Sequence, residues 1–277
     1  MLITRHAEAE AVLSDTRYVP PPVRQDGAEG TLAWLRARVS RFSTGETHAR
    51  RRGELVALLS GLDPAGLRTA AEALTRRRGG DWRGVPVAVL GAALGVEDTT
   101  AVPAAAAGYL SGEESPQADA AAAELLKLAG LPVITLLLQA HAATEGLIET
   151  AFTRATARQH ETAPPRAATG QDEIAPPHAF TGQDETPPPR AFTGHDIDAL
   201  LCETLRQDPP LKATRRLDTR TGGEVTIDLV AVNRDPDAHD PALGHVPHLT
   251  FGHGVRPCPA PEHALALAAG VLEGLLT

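Results

Sequence analysis

The chain of 277 residues contains only two cysteines, Cys202 and Cys258. Two thiols cannot build a disulfide framework, so the sequence suits a reducing, cytoplasmic setting. Positive charge is also short. The 26 Lys and Arg against 35 Asp and Glu leave a formal net charge of −9, which argues against nucleic acid as the main partner. No uninterrupted apolar run is long enough to span a bilayer, and no charged leader followed by an apolar core opens the chain as given, so a soluble protein without a membrane partner is expected. Glycine-rich phosphate loops, dinucleotide fingerprints and a hydrolase nucleophile elbow are all missing. His245, His248, His253, Cys258 and His263 gather towards the C-terminus. Their spacing matches no paired CxxC or HxxxH arrangement, and a lone cysteine among histidines makes a poor closed zinc site.

What is present is 42% hydrophobic sequence, enough to bury a core. A short extended start leads into a helix over about 7–13, stopped by Asp15 and closed by Pro20 to Pro22. Ser43 and Glu46 read as a capping box, so a helix is expected from near Thr44. That helix puts His48 and Arg52 on one face, four residues apart, with Arg50 and Arg51 off it as a basic patch for an acidic partner. Residues 85–98 read as an apolar helix ended by Gly95, and 99–130 as an alanine-rich stretch. A long apolar helix follows from 131 past 152. It bears Thr144 between Ala140 and Gly146, with His141 and Glu145 as the nearby polar groups.

Residues 161–196 are three imperfect copies of a 12-residue unit: ETAPPRAATGQD, EIAPPHAFTGQD and ETPPPRAFTGHD. So much Pro, Gly and charge predicts a linker of polyproline character. A helix is then expected over about 197–207, with Glu203 and Arg206 meeting as an ion pair. After a turn at Gly222 and Gly223, the alternation VTIDLVAV over 225–232 predicts a strand leading to Asn233, Arg234, Asp235 and Pro236. The stretch FGHGVRPCPAP at 251–261 precedes a final apolar helix and delivers Cys258 to its start. A helix N-terminus favours a thiolate, and Gly252 and Gly254 allow positive φ and close backbone approach by a flat cofactor.

This stretch resembles the haem-ligand loop of the cytochromes P-450, which reads Phe, two residues, Gly, any, His or Arg, any, Cys, any, Gly. Phe251, Gly254, Arg256 and Cys258 match it, and Ala260 stands in the last glycine's place. The resemblance implies a mainly α, P-450-like fold with small β elements. It would be a single domain over 1–277, interrupted by the repeat linker and lacking the usual first helix and strands. It implies haem b, iron protoporphyrin IX, with Cys258 as axial iron ligand. His48, Arg52, Arg256 and Arg216, with Arg215 as the alternative to the last, would face the haem propionates. Thr144 would handle dioxygen and protons, and Glu203 with Arg206 would be the family's structural pair. No Arg occurs from Asp237 to Val255, so the usual third member of that pair is missing. The implied activity inserts one oxygen atom of O2 into a small organic substrate, of the kind met in secondary metabolism. Electrons would come from NAD(P)H through a separate ferredoxin and ferredoxin reductase. The competing expectation is a catalytically degenerate relative that binds and stabilises a partner enzyme.

Overall fold

The structure is a computed structural model, and it describes residues 1–161, 192–238 and 247–277. Most of the repeat segment expected as a linker, 162–191, lies outside the described residues. The helices are α1 His6–Ser14, α2 Leu32–Arg38, α3 Gly45–Leu59, α4 Pro64–Arg77, α5 Val85–Ala93, α6 Val102–Tyr109, α7 Pro116–Leu128, α8 Leu131–Glu161, α9 Gly194–Gln207, α10 Leu229–Asn233 and α11 Pro261–Leu276. The strands β1 Leu2–Ile3, β2 Tyr18–Val19, β3 Ala213–Asp218 and β4 Glu224–Asp228 form one sheet in the order β1-β4-β3-β2. β1 runs parallel to β4 with Leu2 opposite Thr226, and the other pairings are antiparallel.

α8 is the central beam. Over Leu131–Arg158 it is long and apolar enough, by length and composition, to cross a membrane. Here it is packed by α3, α5, α6, α7, α9 and α11 instead. Ile134, Leu137, Ile148, Ala151 and Ala155 are fully buried along it. Its threonines do not interrupt the helix, because Thr135, Thr150 and Thr156 fold their hydroxyls back on carbonyls one turn earlier.

α11 is seated on α4 through small residues. A Cβ at Gly270 would lie 2.1 Å from the Arg68 carbonyl oxygen, and one at Gly274 would lie 2.7 Å from Thr75 Cβ. That close approach fixes the helix which follows Cys258. A smaller core of Ile3, Val12, Leu13, Ile227, Val232 and Leu249, among others, joins α1, the sheet and α10.

Three local readings of the sequence change. The helix near Thr44 begins at Gly45 without a side-chain cap, because the Ser43 hydroxyl donates to Val39 O at 2.6 Å instead of capping. The strand after the double-glycine turn stops at Asp228. The Asp228 carboxylate accepts from Val230 N and Ala231 N, both at 3.0 Å, and turns the remaining apolar residues into α10. The helix expected from about 197 starts at Gly194, inside the third repeat copy. There Thr193 and Asp196 cap reciprocally: Thr193 N donates to Asp196 Oδ2 at 2.9 Å, and Asp196 N to Thr193 Oγ1 at 3.3 Å.

Candidate functional site

The cysteine loop is built from buried hydrogen bonds. Asn233, with no exposed surface, donates through Nδ2 to Leu205 O at 3.1 Å and to Thr250 Oγ1 at 2.8 Å. Its Oδ1 accepts from Leu249 N at 2.8 Å, and Thr250 Oγ1 donates to Leu205 O at 2.8 Å. One side chain therefore joins α9, α10 and the first residues of the loop. Asp235 extends the tie by accepting from His6 N at 2.8 Å. The sequence motif was legible, but this asparagine's part as an anchor was not.

Within the loop, Gly252 and Gly254 have φ of 76° and 61°, and Cys258 N donates to Phe251 O at 2.6 Å. Phe251 and Ala260 pack against the main core. The close backbone approach expected at Gly254 is to the end of α1, since a Cβ there would lie 2.5 Å from Ser14 Cα. The Cys258 sulfur accepts from Ala260 N at 3.4 Å. Burial pushes the thiol above its ordinary value, and the Ala260 N–H with the charges of Arg52 and Arg41 does not reverse it. The helix start is expected to favour the thiolate, and burial of the sulfur works against it.

Beside the loop stands a group of cations. Arg256 donates to Arg41 O at 3.3 Å and to Ser43 O. Burial, then the charges of Arg216, Arg52 and Arg41, push its guanidinium down to about 10. Arg216 on β3 is likewise pushed down to about 10, by burial and then by Arg41. His48 falls to about 4 through burial, Arg256 and Arg52, so its imidazole is neutral. Among the described residues no carboxylate lies within ion-pair distance of Arg41, Arg52, Arg216 or Arg256. His48, Arg52, Val56, Tyr18, Val255 and Arg256 line a cleft of about 650 Å³.

The structure thus brings together His48, Arg52, Arg216, Arg256 and Cys258. Arg215 faces the other way, 3.7 Å from Glu224. Arg41, held in the short turn Ser40–Phe42, belongs to the same cluster and carries no local sequence signal; only its tertiary neighbours mark it. The basic patch expected at Arg50 and Arg51 is corrected. Arg50 pairs with Glu54 at 2.8 Å, and Arg51 is spent on Ala37 O at 3.2 Å, Val39 O at 3.4 Å and the Ser43 hydroxyl.

Thr144 lies on α8 and is 3% exposed. Its polar neighbours do not serve it. His141 Nδ1 lies 3.2 Å from Glu145 Oε1, which accepts from Gly84 N at 2.9 Å at the start of α5. Burial raises the Glu145 carboxyl, but His141 and the Gly84 N–H outweigh it and hold the group below the usual range. On α9, Arg206 meets both Glu203 oxygens at 3.2 Å. Arg154 of α8 adds a looser contact, 3.9 Å from Glu203.

No protein-family model matches the chain, and no curated protein matches it. Solved structures do. P450BioI, in complex with an acyl carrier protein ligated with hexadec-9Z-enoic acid, matches at a TM-score of 0.71 and 17% identity over 99% of this chain and 84% of its own. The myxobacterial cytochrome P450 CYP267B1, in complex with myristic acid, matches at 0.69 and 18% over 99% of this chain and 81% of its own. CYP154A1 from Streptomyces coelicolor A3(2) matches at 0.64 and 19% over 98% of this chain and 82% of its own. Likeness at such low identity speaks for the backbone, and on that ground the chain has the cytochrome P450 fold.

Proposed function

We propose that the chain is a haem-thiolate monooxygenase acting on a small organic substrate. The observation that carries this reading is the buried cation cluster beside Cys258 in a cytochrome P450 fold. Arg216 and Arg256 are depressed by burial and by their neighbours' charge, and among the described residues no carboxylate lies within ion-pair distance of them. A group bringing two carboxylates and a metal ion suits this set: the carboxylates neutralise the guanidiniums, and the metal ion ionises a thiol that burial otherwise keeps protonated.

When bound, haem b supplies the dioxygen chemistry that no side chain offers, with a thiolate ligand favouring O–O cleavage. The chain's own residues hold and tune it. Cys258 would ligate the haem iron, and the Ala260 N–H donated to its sulfur would temper the thiolate's charge. Arg216, Arg256, Arg52 and the neutral His48 would receive the propionates, with Arg41 adding charge. Thr144, buried on α8, would order water for that chemistry. Glu203 and Arg206 keep α9 rigid beneath the loop's anchor at Leu205. Electrons come from NAD(P)H through a ferredoxin and its reductase, in the cytoplasm. The acyl ligands of P450BioI and CYP267B1 make straight-chain acyl compounds the first substrates to try.

The test is a haem titration of the purified chain. A Soret band saturating at one haem per chain supports the proposal, and no saturable uptake overturns it. Thr144→Ala should leave haem uptake unchanged and raise peroxide release relative to product. Unchanged coupling would remove Thr144 from the mechanism.

A further inference from the structure

Away from Cys258, the core holds a hydroxyl that the described residues leave unbonded. Tyr109, the last residue of α6, has no exposed surface, and its Oη has no hydrogen-bond partner. Buried hydroxyls in folded proteins are almost always satisfied, so this one is placed for a group that arrives with a ligand. The residue is held firmly. Arg36 Nε donates to Tyr109 O at 2.8 Å, and Arg36 stacks on Phe42, whose ring meets that of Tyr109 edge-on at 5.6 Å between centroids. Beside it, a Cβ at Gly108 would lie 2.3 Å from Glu113 O and 2.8 Å from Leu32 Cδ2, so the end of α6 has little room to turn.

The charges that reach this hydroxyl are cations. Burial raises it above the ordinary tyrosine value, while Arg41 and then Arg36 act in the opposite sense. Arginines only donate, so neither can accept from the O–H. Arg36 is spent on Tyr109 O, and the acid whose charge reaches it, Glu114, pairs with Arg24 at 2.9 Å. Arg41, in the turn that also carries Phe42, has no carboxylate within ion-pair distance among the described residues. A hydroxyl and a guanidinium that both want an acceptor suit the two oxygens of one carboxylate. We propose that Tyr109 Oη and the Arg41 guanidinium form a recognition point for a ligand carboxylate, with Tyr109 a specificity-determining residue of the reaction proposed above. The carboxylate is the head of an acyl substrate or a haem propionate. The inference rests on the monooxygenase reading for the ligand's role, and not for the donors.

The experiment compares the full chain with Tyr109→Phe, which removes only the hydroxyl. Without ligand, the urea midpoint should be unchanged or higher, because no hydrogen bond is lost. A lower midpoint would reveal a partner within the fold and overturn the proposal. Myristate and haem are then titrated separately into both proteins. Tyr109→Phe should weaken one of them about tenfold, the loss expected for a hydrogen bond to a charged group. A loss confined to myristate, and smaller for tetradecanol, assigns the point to the substrate's head; the same loss for tetradecanol would deny a carboxylate and overturn it. A loss confined to haem assigns the point to a propionate. Equal affinities in the two proteins for both ligands overturn the recognition point and leave the monooxygenase reading standing. No saturable haem uptake, with the myristate loss retained, overturns that reading alone.

Discussion

His48 shows how charge without a partner becomes measurable at a single residue. Its folded-state value is about 4, below the ordinary histidine value, because it is partly buried beside Arg256 and Arg52. Between about pH 6.5 and 4 the unfolded chain binds the proton and the folded chain does not, so stability falls as pH falls through that window. His48→Gln should flatten this acid limb in urea titrations of the haem-free chain, by on the order of 1 kcal/mol once solvent screening is allowed for. An identical limb in both proteins would contradict the placement of His48 among the arginines. Asn233 offers a test of the opposite kind. Asn233→Ala strands Leu249 N in a dry site, leaves Leu205 O with Thr250 Oγ1 as its remaining side-chain donor, and should cost about 2–4 kcal/mol, read as a lower urea midpoint. A loss under about 0.5 kcal/mol would mean the loop is held elsewhere.

Elements were legible where a residue's local pattern matched its tertiary use. The apolar run of α8, the helix bearing His48 and Arg52, and the Glu203–Arg206 pair could be read directly, since periodicity and spacing are local properties. Local signals failed where a distant group competed for the same atoms. Ser43 looked like a cap but is occupied by Val39 O and Arg51, and the 225–232 alternation was cut by the cap at Asp228. The seat of α11 on α4 was not legible either, because Gly270 and Gly274 declare themselves only against Arg68 and Thr75. Gly270→Val should force these helices apart and cost at least about 3 kcal/mol, measured as a fall in Tm together with weaker haem uptake. A neutral effect would show that the contact yields without cost.

Across the whole molecule, the four-residue match around Cys258 pointed to the fold that the solved cytochrome P450 structures share with this chain. The match could not show what compensates for the pieces that depart from pattern. Arg154 of α8 lies 3.9 Å from Glu203 on α9, Arg41 joins the cations unannounced, and Glu145 accepts from the Gly84 N–H at the start of α5. These are contacts between residues far apart in sequence, and composition carries no trace of them. The measurement that tests the central claim most directly is the absorption spectrum of the reduced, carbon monoxide-bound protein after haem loading, beside Cys258→Ser. The account predicts a strongly red-shifted Soret band that disappears in the variant. A band at the same position in both, or haem bound without the shift, would contradict thiolate ligation by Cys258.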